Sequence, residues 1–454
     1  MAPHEKFRFE SLDEIRAKAA DLGVPIELAE DLSPLTRPVA IGSLTTPNAM
    51  AVLPMEGCDS NPDGSPSELV ERRYLRFSGG GAGLLWWEAC AVTEEGKANE
   101  LQMMMTGKNV KRFAALLAKA KAEAVRRNGT AHRPVNVLQL THSGRYSRPR
   151  GHTPAPIAPQ RDPLLDPRVG LEANMPLVSD SYLDDLPGKY AHSAKLAEKA
   201  GFDGVDIKAC HRYLLSELLS CHTRDGKYGG SFENRSRLLR DVVDAVRRET
   251  NAGFLIACRF NVFDAHPHPY SFGGNIKDMW AFNPDEPLAL TRMLADKGVG
   301  LLSSSAGNPY YIYPQVTRPF DLSCPGLPMP DEHPLESVGR LFAFTRRIQK
   351  EAGNIPVVGN GYSWLRQFLP NAGAANLSSG NCALVGLGRS SFAYPDAPRD
   401  ILLCGAMDPQ KCCISCSCCT QIMRDHGRTG CVARDDKVYG PLYTQYRKEA
   451  QTKK

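Results

Sequence analysis

The chain has 454 residues and no apolar run reaching the ~18 residues that a membrane helix needs. No membrane span and no membrane partner are therefore expected. The N-terminus, MAPHEKFRFESLDEIRAKAADLG, is charged and lacks the apolar centre of a secretory leader, which makes the cytoplasm the expected location. Long runs of one charge are missing as well. A net charge of +5 without a basic tract argues against nucleic acid and is compatible with an anionic ligand. No Gly-x-Gly-x-x-Gly follows a strand and opens a helix with an acidic residue downstream, so no doubly wound nucleotide-binding domain is expected. Cysteine, by contrast, is plentiful. Fourteen cysteines in a large chain with no secretory signal, clustered near one end, point to metal binding rather than disulfides. An apolar content of 42% supports one large barrel or two to three ordinary domains.

Hydrophobic patterning yields eight short apolar strands separated by helical stretches. The strands are expected at 49–53, 83–88, 135–140, 202–207, 253–260, 299–303, 355–359 and 383–386. Helices are expected at 11–22, 66–77 (with Ser65 as N-cap and Glu68 three residues on), 108–127 and 190–199, and one starts near Phe232. A Pro- and Arg-rich loop from Ser147 to about Leu183 is long enough to be a functional lid. This alternation predicts an α/β chain folded as a (β/α)8 TIM barrel over 48–400. A lead-in over 1–47 precedes it, and a cysteine-rich segment with a polar, basic tail over 401–454 follows.

Polar side chains at the C-terminal ends of barrel strands mark an active site. The stretch Gly201–Arg235 has that character. Its strand is followed at once by Lys208, His211 and Tyr213, then by an apolar run and a Gly-Gly turn. The runs GFDGVDIKACHRYLLSELLS and DGKYGGSFENR resemble the old yellow enzyme (NADH:flavin oxidoreductase) family. The resemblance is closest to its iron–sulfur branch of 2,4-dienoyl-CoA reductase and trimethylamine dehydrogenase, and runs from about residue 30 to about 440.

The resemblance implies bound FMN. Gln139 matches the family's glutamine at the pyrimidine edge, and Arg259 matches the arginine near flavin N1. Backbone around Pro54, Met55 and Glu56 is expected beside the dimethylbenzene ring and N5. Gly361, Gly388 and Arg389 follow the last two strands, a frequent phosphate site of such barrels. On the substrate side, Tyr213 matches the family's proton donor to an alkene that has taken hydride from the flavin. His211 keeps one half of the pair that grips a substrate carbonyl. Lys208 departs from the pattern. Its ammonium is free to polarise a carbonyl, pair with a carboxylate, neutralise Asp206 or point away. His142 and Arg145, in THSGRYSR, resemble a family motif; His142 is placed facing flavin or substrate, Arg145 in a structural or lid-facing role.

Cys413, Cys416, Cys419 and Cys431 give C-x2-C-x2-C-x11-C. Three tightly spaced thiolates and one returning from a loop suit a [4Fe–4S] cluster, whereas zinc usually takes two C-x2-C knuckles. Cys412 and Cys418 are extra, and Cys412 is able to replace Cys413. The expected activity is an FMN- and [4Fe–4S]-dependent ene-reductase acting on the C=C bond of a small-molecule α,β-unsaturated carbonyl substrate. Its electrons are expected from NADH or NADPH at the flavin, or from a separate protein docking near the cluster. The alternatives are an amine dehydrogenase of the trimethylamine dehydrogenase type and an electron-transfer subunit. A quaternary amine calls for an aromatic cage, to which Trp86, Trp87, Tyr310, Tyr311 and Tyr313 are available. Substrate identity and any homo-oligomer stay open.

Overall fold

The computed structural model describes residues 3–310 and 314–452. A short antiparallel hairpin, β1 (Val39–Ile41) and β2 (Leu44–Thr46), precedes the main sheet. Eight parallel strands then close into a barrel: β3 (Met50–Val52), β4 (Leu84–Ala91), β5 (Val135–Thr141), β6 (Gly204–Ile207), β7 (Leu255–Phe263), β8 (Leu301–Ala306), β9 (Val357–Gly359) and β10 (Leu384–Leu387). Closure is made by β10 against β3, with Val385 opposite Met50 and Leu387 opposite Val52. All eight fall where the apolar runs predict. The (β/α)8 architecture follows, with helices covering the outer face.

Strand periodicity of two decides which side chains enter the barrel. Val135 and Val137 of β5, and Leu255 and Ala257 of β7, fill its interior together with Trp86, Leu84, Leu301 and Leu384. The same parity carries inward to Gln139 and Arg259 at the C-terminal ends of those strands. The barrel is therefore apolar in its lower layers and polar only at the top. Ile41 of the hairpin joins the apolar interior cluster.

Several boundaries differ from the expectation. The helix over Glu68–Gly79 is capped by Ser67, whose hydroxyl accepts from the Val70 N–H, rather than by Ser65. Ser65 instead donates to Asp63 in a local turn. The expected loop from Ser147 to Leu183 ends early, because Ser179 caps a helix running Asp180–Ala200 straight through Pro187. Leu183, Leu186, Tyr190, Ala194 and Ala197 form one buried stripe on it, and that burial outweighs the proline. The loop also contains a short helix, Asp166–Val169.

The polar, basic tail is folded. Asp436–Thr452 is helical, and Arg447 pairs with Asp425. Asp435 receives both Arg72 and Arg76 from the helix Glu68–Gly79. Gly430 lies flat against Tyr439, where a Cβ would stand 2.2 Å from the ring. These contacts hold the cysteine-rich segment against the barrel, and Cys413 and Cys431 belong to its main hydrophobic cluster.

Candidate active site

At the C-terminal mouth of the barrel one cavity collects residues from nearly every strand end. Pro54, Met55 and Glu56 reach it after β3, Gln139 from β5, and Lys208 and His211 after β6. Arg259 comes from β7, Tyr310 and Arg318 from the segment after β8, Gly361 after β9, and Gly388 and Arg389 after β10. The cavity thus brings together all eight residues expected to hold a flavin, along with Lys208 and His211.

Its floor is an ordered polar layer. Asp206 Oδ2 accepts from Gln139 Nε2 (2.6 Å) and Trp86 Nε1 (2.8 Å), and Oδ1 accepts from the Arg259 N–H (2.8 Å). Burial still pushes the Asp206 carboxyl up to about 6, against those hydrogen bonds. The wall opposite is cationic. Arg259 Nε, Arg318 Nε and Arg389 Nη1 are buried and lack an acceptor among the described residues. Burial, with Arg389 and Arg424 nearby, pulls the Arg318 guanidinium down to about 10. Buried N–H groups left without acceptors are costly, and these three belong to residues that line the cavity.

Gly361 takes φ 96°, a left-handed value that favours glycine, as the chain turns off β9. Ser363 Oγ then accepts from the Ser390 N–H (3.2 Å), tying the loops after β9 and β10 together. Arg389 donates to the carbonyl of Pro319, which fixes the guanidinium at the cavity edge.

The side expected to face substrate is set by a tight turn after β6. His211 and Arg212 both adopt positive φ, 63° and 61°. This strained turn is held by Asn261, which accepts from the His211 N–H, and by Asp264 and Asp162 on the Arg212 guanidinium. His211 Nε2 lies 3.0 Å from Ser305 Oγ. Burial, then the charges of Arg259, Lys208 and Arg318, hold its imidazole well below the ordinary histidine range, so it is neutral. Lys208 does not reach Asp206. Its Nζ pairs with Glu56 at 2.6 Å and lies 3.9 Å from the centre of the Tyr213 ring.

Tyr213 stands one hydrogen bond behind the cavity. Its hydroxyl is 2.6 Å from the Tyr310 hydroxyl and 3.5 Å from Glu56 Oε2. Burial and the neighbouring Glu56 push it well above the ordinary tyrosine value, keeping it protonated. Tyr310 is the residue that lines the cavity.

Two expectations fail here. His142 is turned away from the cavity: its Nε2 meets the Tyr182 hydroxyl (2.8 Å), and its Nδ1 accepts from the Gly144 N–H (3.1 Å). Trp86 and Trp87 are unavailable to an aromatic cage. Trp86 sits inside the barrel, and Trp87 stacks on Tyr74 at 3.6 Å on the outer side. Tyr311 and Tyr313 lie outside the described residues. Arg145 is structural, as expected, and locks Glu217 to Asp166 of the long loop.

Cys413, Cys416, Cys419 and Cys431 line one small cavity with Arg389 and Phe392. Backbone N–H groups of Ser415 and Arg434 donate to the sulfurs of Cys413 and Cys431. Cys412 faces elsewhere and donates to Asp408 O, while Cys418 donates to Cys416 O. All fourteen cysteines are free thiols. Among the described residues no three His, Cys, Asp or Glu side chains are grouped as a site for a metal ion. Cys419, Arg389 and Phe392 line both this cavity and the main one, so the two share a wall.

Arg318 and the Glu56 side chain are site features that sequence reasoning missed, and Tyr310, named there only for an aromatic cage, is found against Tyr213. Arg318 and Tyr310 sit on the segment after β8, and no local pattern there indicates which way it folds back over the barrel mouth.

An eight-stranded parallel barrel with one polar, anion-seeking cavity at its C-terminal mouth defines a class of barrel proteins that act on small ligands. The sequence profile of the NADH:flavin oxidoreductase / NADH oxidase family matches residues 34–276, and the chain belongs to that family. It is 28% identical over 383 residues to an NADH oxidase of Thermoanaerobacter brockii, covering 83% of this chain and 52% of that protein. It resembles in fold a 2-naphthoyl-CoA reductase solved with 2-naphthoyl-CoA (TM-score 0.69, 16% identity, 92% of this chain and 58% of that one). An old yellow enzyme homologue from Zymomonas mobilis is similar too (TM-score 0.60, 21% identity, 81% of this chain and 92% of that one). The chain spans about half the length of the NADH oxidase it matches. Among the described residues no helix is long and apolar enough to cross a membrane.

Proposed function

We propose that the main cavity holds FMN and that the chain is a flavin-dependent ene-reductase acting on α,β-unsaturated carbonyl compounds. The observation that carries this reading is the set of buried Arg259, Arg318 and Arg389 N–H groups without acceptors, ringed round a cavity that also holds Gln139, Lys208 and His211. Arg389 with Gly361 and Gly388 holds the phosphate, Arg318 adds a second cation there, and Arg259 and Gln139 face the ring system. Bound flavin in its reduced form supplies the hydride.

The chain's own residues do the remainder. His211, neutral and fixed by Ser305, donates a hydrogen bond to the substrate carbonyl. Lys208 beside it contributes positive charge, partly balanced by Glu56. Tyr213 delivers the proton, with Tyr310 between it and the cavity as the relay.

Cys413, Cys416, Cys419 and Cys431 are proposed to hold a [4Fe–4S] cluster, a reading supported by their spacing and by the one cavity they share. The wall shared through Cys419 suits electron passage between cluster and flavin. NADH or NADPH, or a separate redox protein, supplies the electrons.

The test is anaerobic titration of the purified protein with NADH, NADPH and dithionite, followed by absorbance and EPR. A flavin band, a cubane signal and reoxidation by an added enone support the proposal. Absence of flavin and iron from protein made and kept anaerobically overturns the cofactor assignment. Bound flavin that no enone reoxidises overturns the ene-reductase.

A further inference from the structure

A second chamber of about 240 Å³ adjoins the main cavity, and Glu56, Tyr310 and Met423 line both. Its composition is lopsided. Arg148, Arg168, Arg424 and His426 line it, and among the described residues Glu56 is the one carboxylate in its lining. That carboxylate already holds Lys208 at 2.6 Å. Arg148 uses Nη1 on the His152 carbonyl and on His426 Nε2, and Arg424 donates to the Pro309 carbonyl. Neither arginine meets an acidic side chain in an ion pair among the described residues. Burial pulls the Arg148 guanidinium below its ordinary value, a sign that its charge is poorly compensated.

One side of this chamber is aromatic. Tyr146 and Tyr310 lie with ring centroids 4.5 Å apart, and Asn308 donates to the Tyr146 hydroxyl at 2.6 Å. The guanidinium groups arrive from three separate parts of the chain: Arg148 from the start of the long loop, Arg168 from its short helix, and Arg424 from the cysteine-rich segment. Guanidinium groups recognise carboxylates through paired, planar N–H donors.

We infer that this chamber is a carboxylate subsite, so that the substrate is an unsaturated carbonyl compound carrying a carboxylate remote from its reacting alkene, bound between Arg148 and Arg424. The inference rests on the reading of the main cavity as the flavin site. The reacting end lies over Lys208 and His211, the body of the substrate passes Tyr310, and the carboxylate enters the second chamber.

The experiment compares cinnamaldehyde with 4-carboxycinnamaldehyde on the flavin-loaded protein and on Arg148→Gln/Arg424→Gln. The expected result is a kcat/KM about 10- to 100-fold higher for the carboxylate substrate, the range for a charge-assisted pair. The preference should shrink with added salt and fall to within about 3-fold in the double variant. Equal kcat/KM for the two substrates, or a preference that survives the double substitution, overturns the inference. Calorimetry with 3-phenylpropionate, which has no reactive alkene, separates this claim from the reaction itself. Binding that is lost in the double variant upholds the subsite even where no enone is reduced. Enone reduction without 3-phenylpropionate binding overturns the subsite and leaves the reductase standing. Flavin content and melting temperature of the double variant verify that it is folded.

Discussion

Arg318→Met is expected to move two properties in opposite directions. In the protein without ligand, the Arg318 guanidinium is crowded by Arg389 and Arg424 and its Nε has no acceptor among the described residues. A cation held down to about 10 costs the folded state on the order of 2 kcal/mol at neutral pH, once partial solvent screening is allowed for. Methionine keeps most of the stem's packing and removes the charge. The flavin-free variant should therefore melt higher than the flavin-free parent, by roughly 2 °C or a little more. With the anion bound the sign reverses. Loss of a charge-assisted hydrogen bond of about 1.5–3 kcal/mol should weaken FMN binding by about 10- to 150-fold. Flavin-free protein is prepared, its melting followed by fluorescence, and FMN titrated back by quenching of flavin emission. A variant that melts lower without ligand and binds FMN as tightly as the parent would refute the reasoning, since Arg318 would then be a structural residue.

Tyr213→Phe and Tyr310→Phe each break the 2.6 Å hydroxyl pair and should slow flavin reoxidation by enones about 10²- to 10⁴-fold, leaving reduction by dithionite unchanged in stopped flow. Gly430→Ala puts a methyl 2.2 Å from the Tyr439 ring and should cost about 1–3 kcal/mol, read as a lower melting temperature and lower iron retention. Acid should destabilise the fold through His142 and His211. Burial favours the neutral ring of both, to about 4 for His142, so their stabilising contribution is complete above ~6.5 and is lost as the unfolded chain takes up protons below that pH. Urea midpoints between pH 7 and 4 should fall less steeply in His142→Asn than in the parent.

Much of the site was legible because barrel chemistry is written at strand ends. Gln139 and Arg259 close apolar runs of period two, and Lys208 and His211 follow the next strand within four residues. Such positions are fixed by local periodicity, and closure of the sheet brings them together. The loops are different. His142 carries the same kind of signal as His211, yet a hydrogen bond from Gly144 turns one ring away while a left-handed turn aims the other inward. Trp86 and Trp87 are adjacent on one strand and so lie on opposite sides of the barrel wall; that Trp86 is the one facing inward is decided by the closed sheet.

By itself the sequence determined the eight strands, the barrel, the polar residues at their ends and the spacing of four cysteines, since each depends on short-range pattern. Only the tertiary structure decided that Lys208 pairs with Glu56, that Tyr310 stands between Tyr213 and the cavity, that Arg318 joins Arg389, and that Arg148 meets Arg424 across a second chamber. The residues so brought together stand about 70 to 280 positions apart in the chain. Their partners are chosen by how loops pack over the barrel mouth, and the free energy of that packing is shared among many side chains rather than encoded in any one stretch.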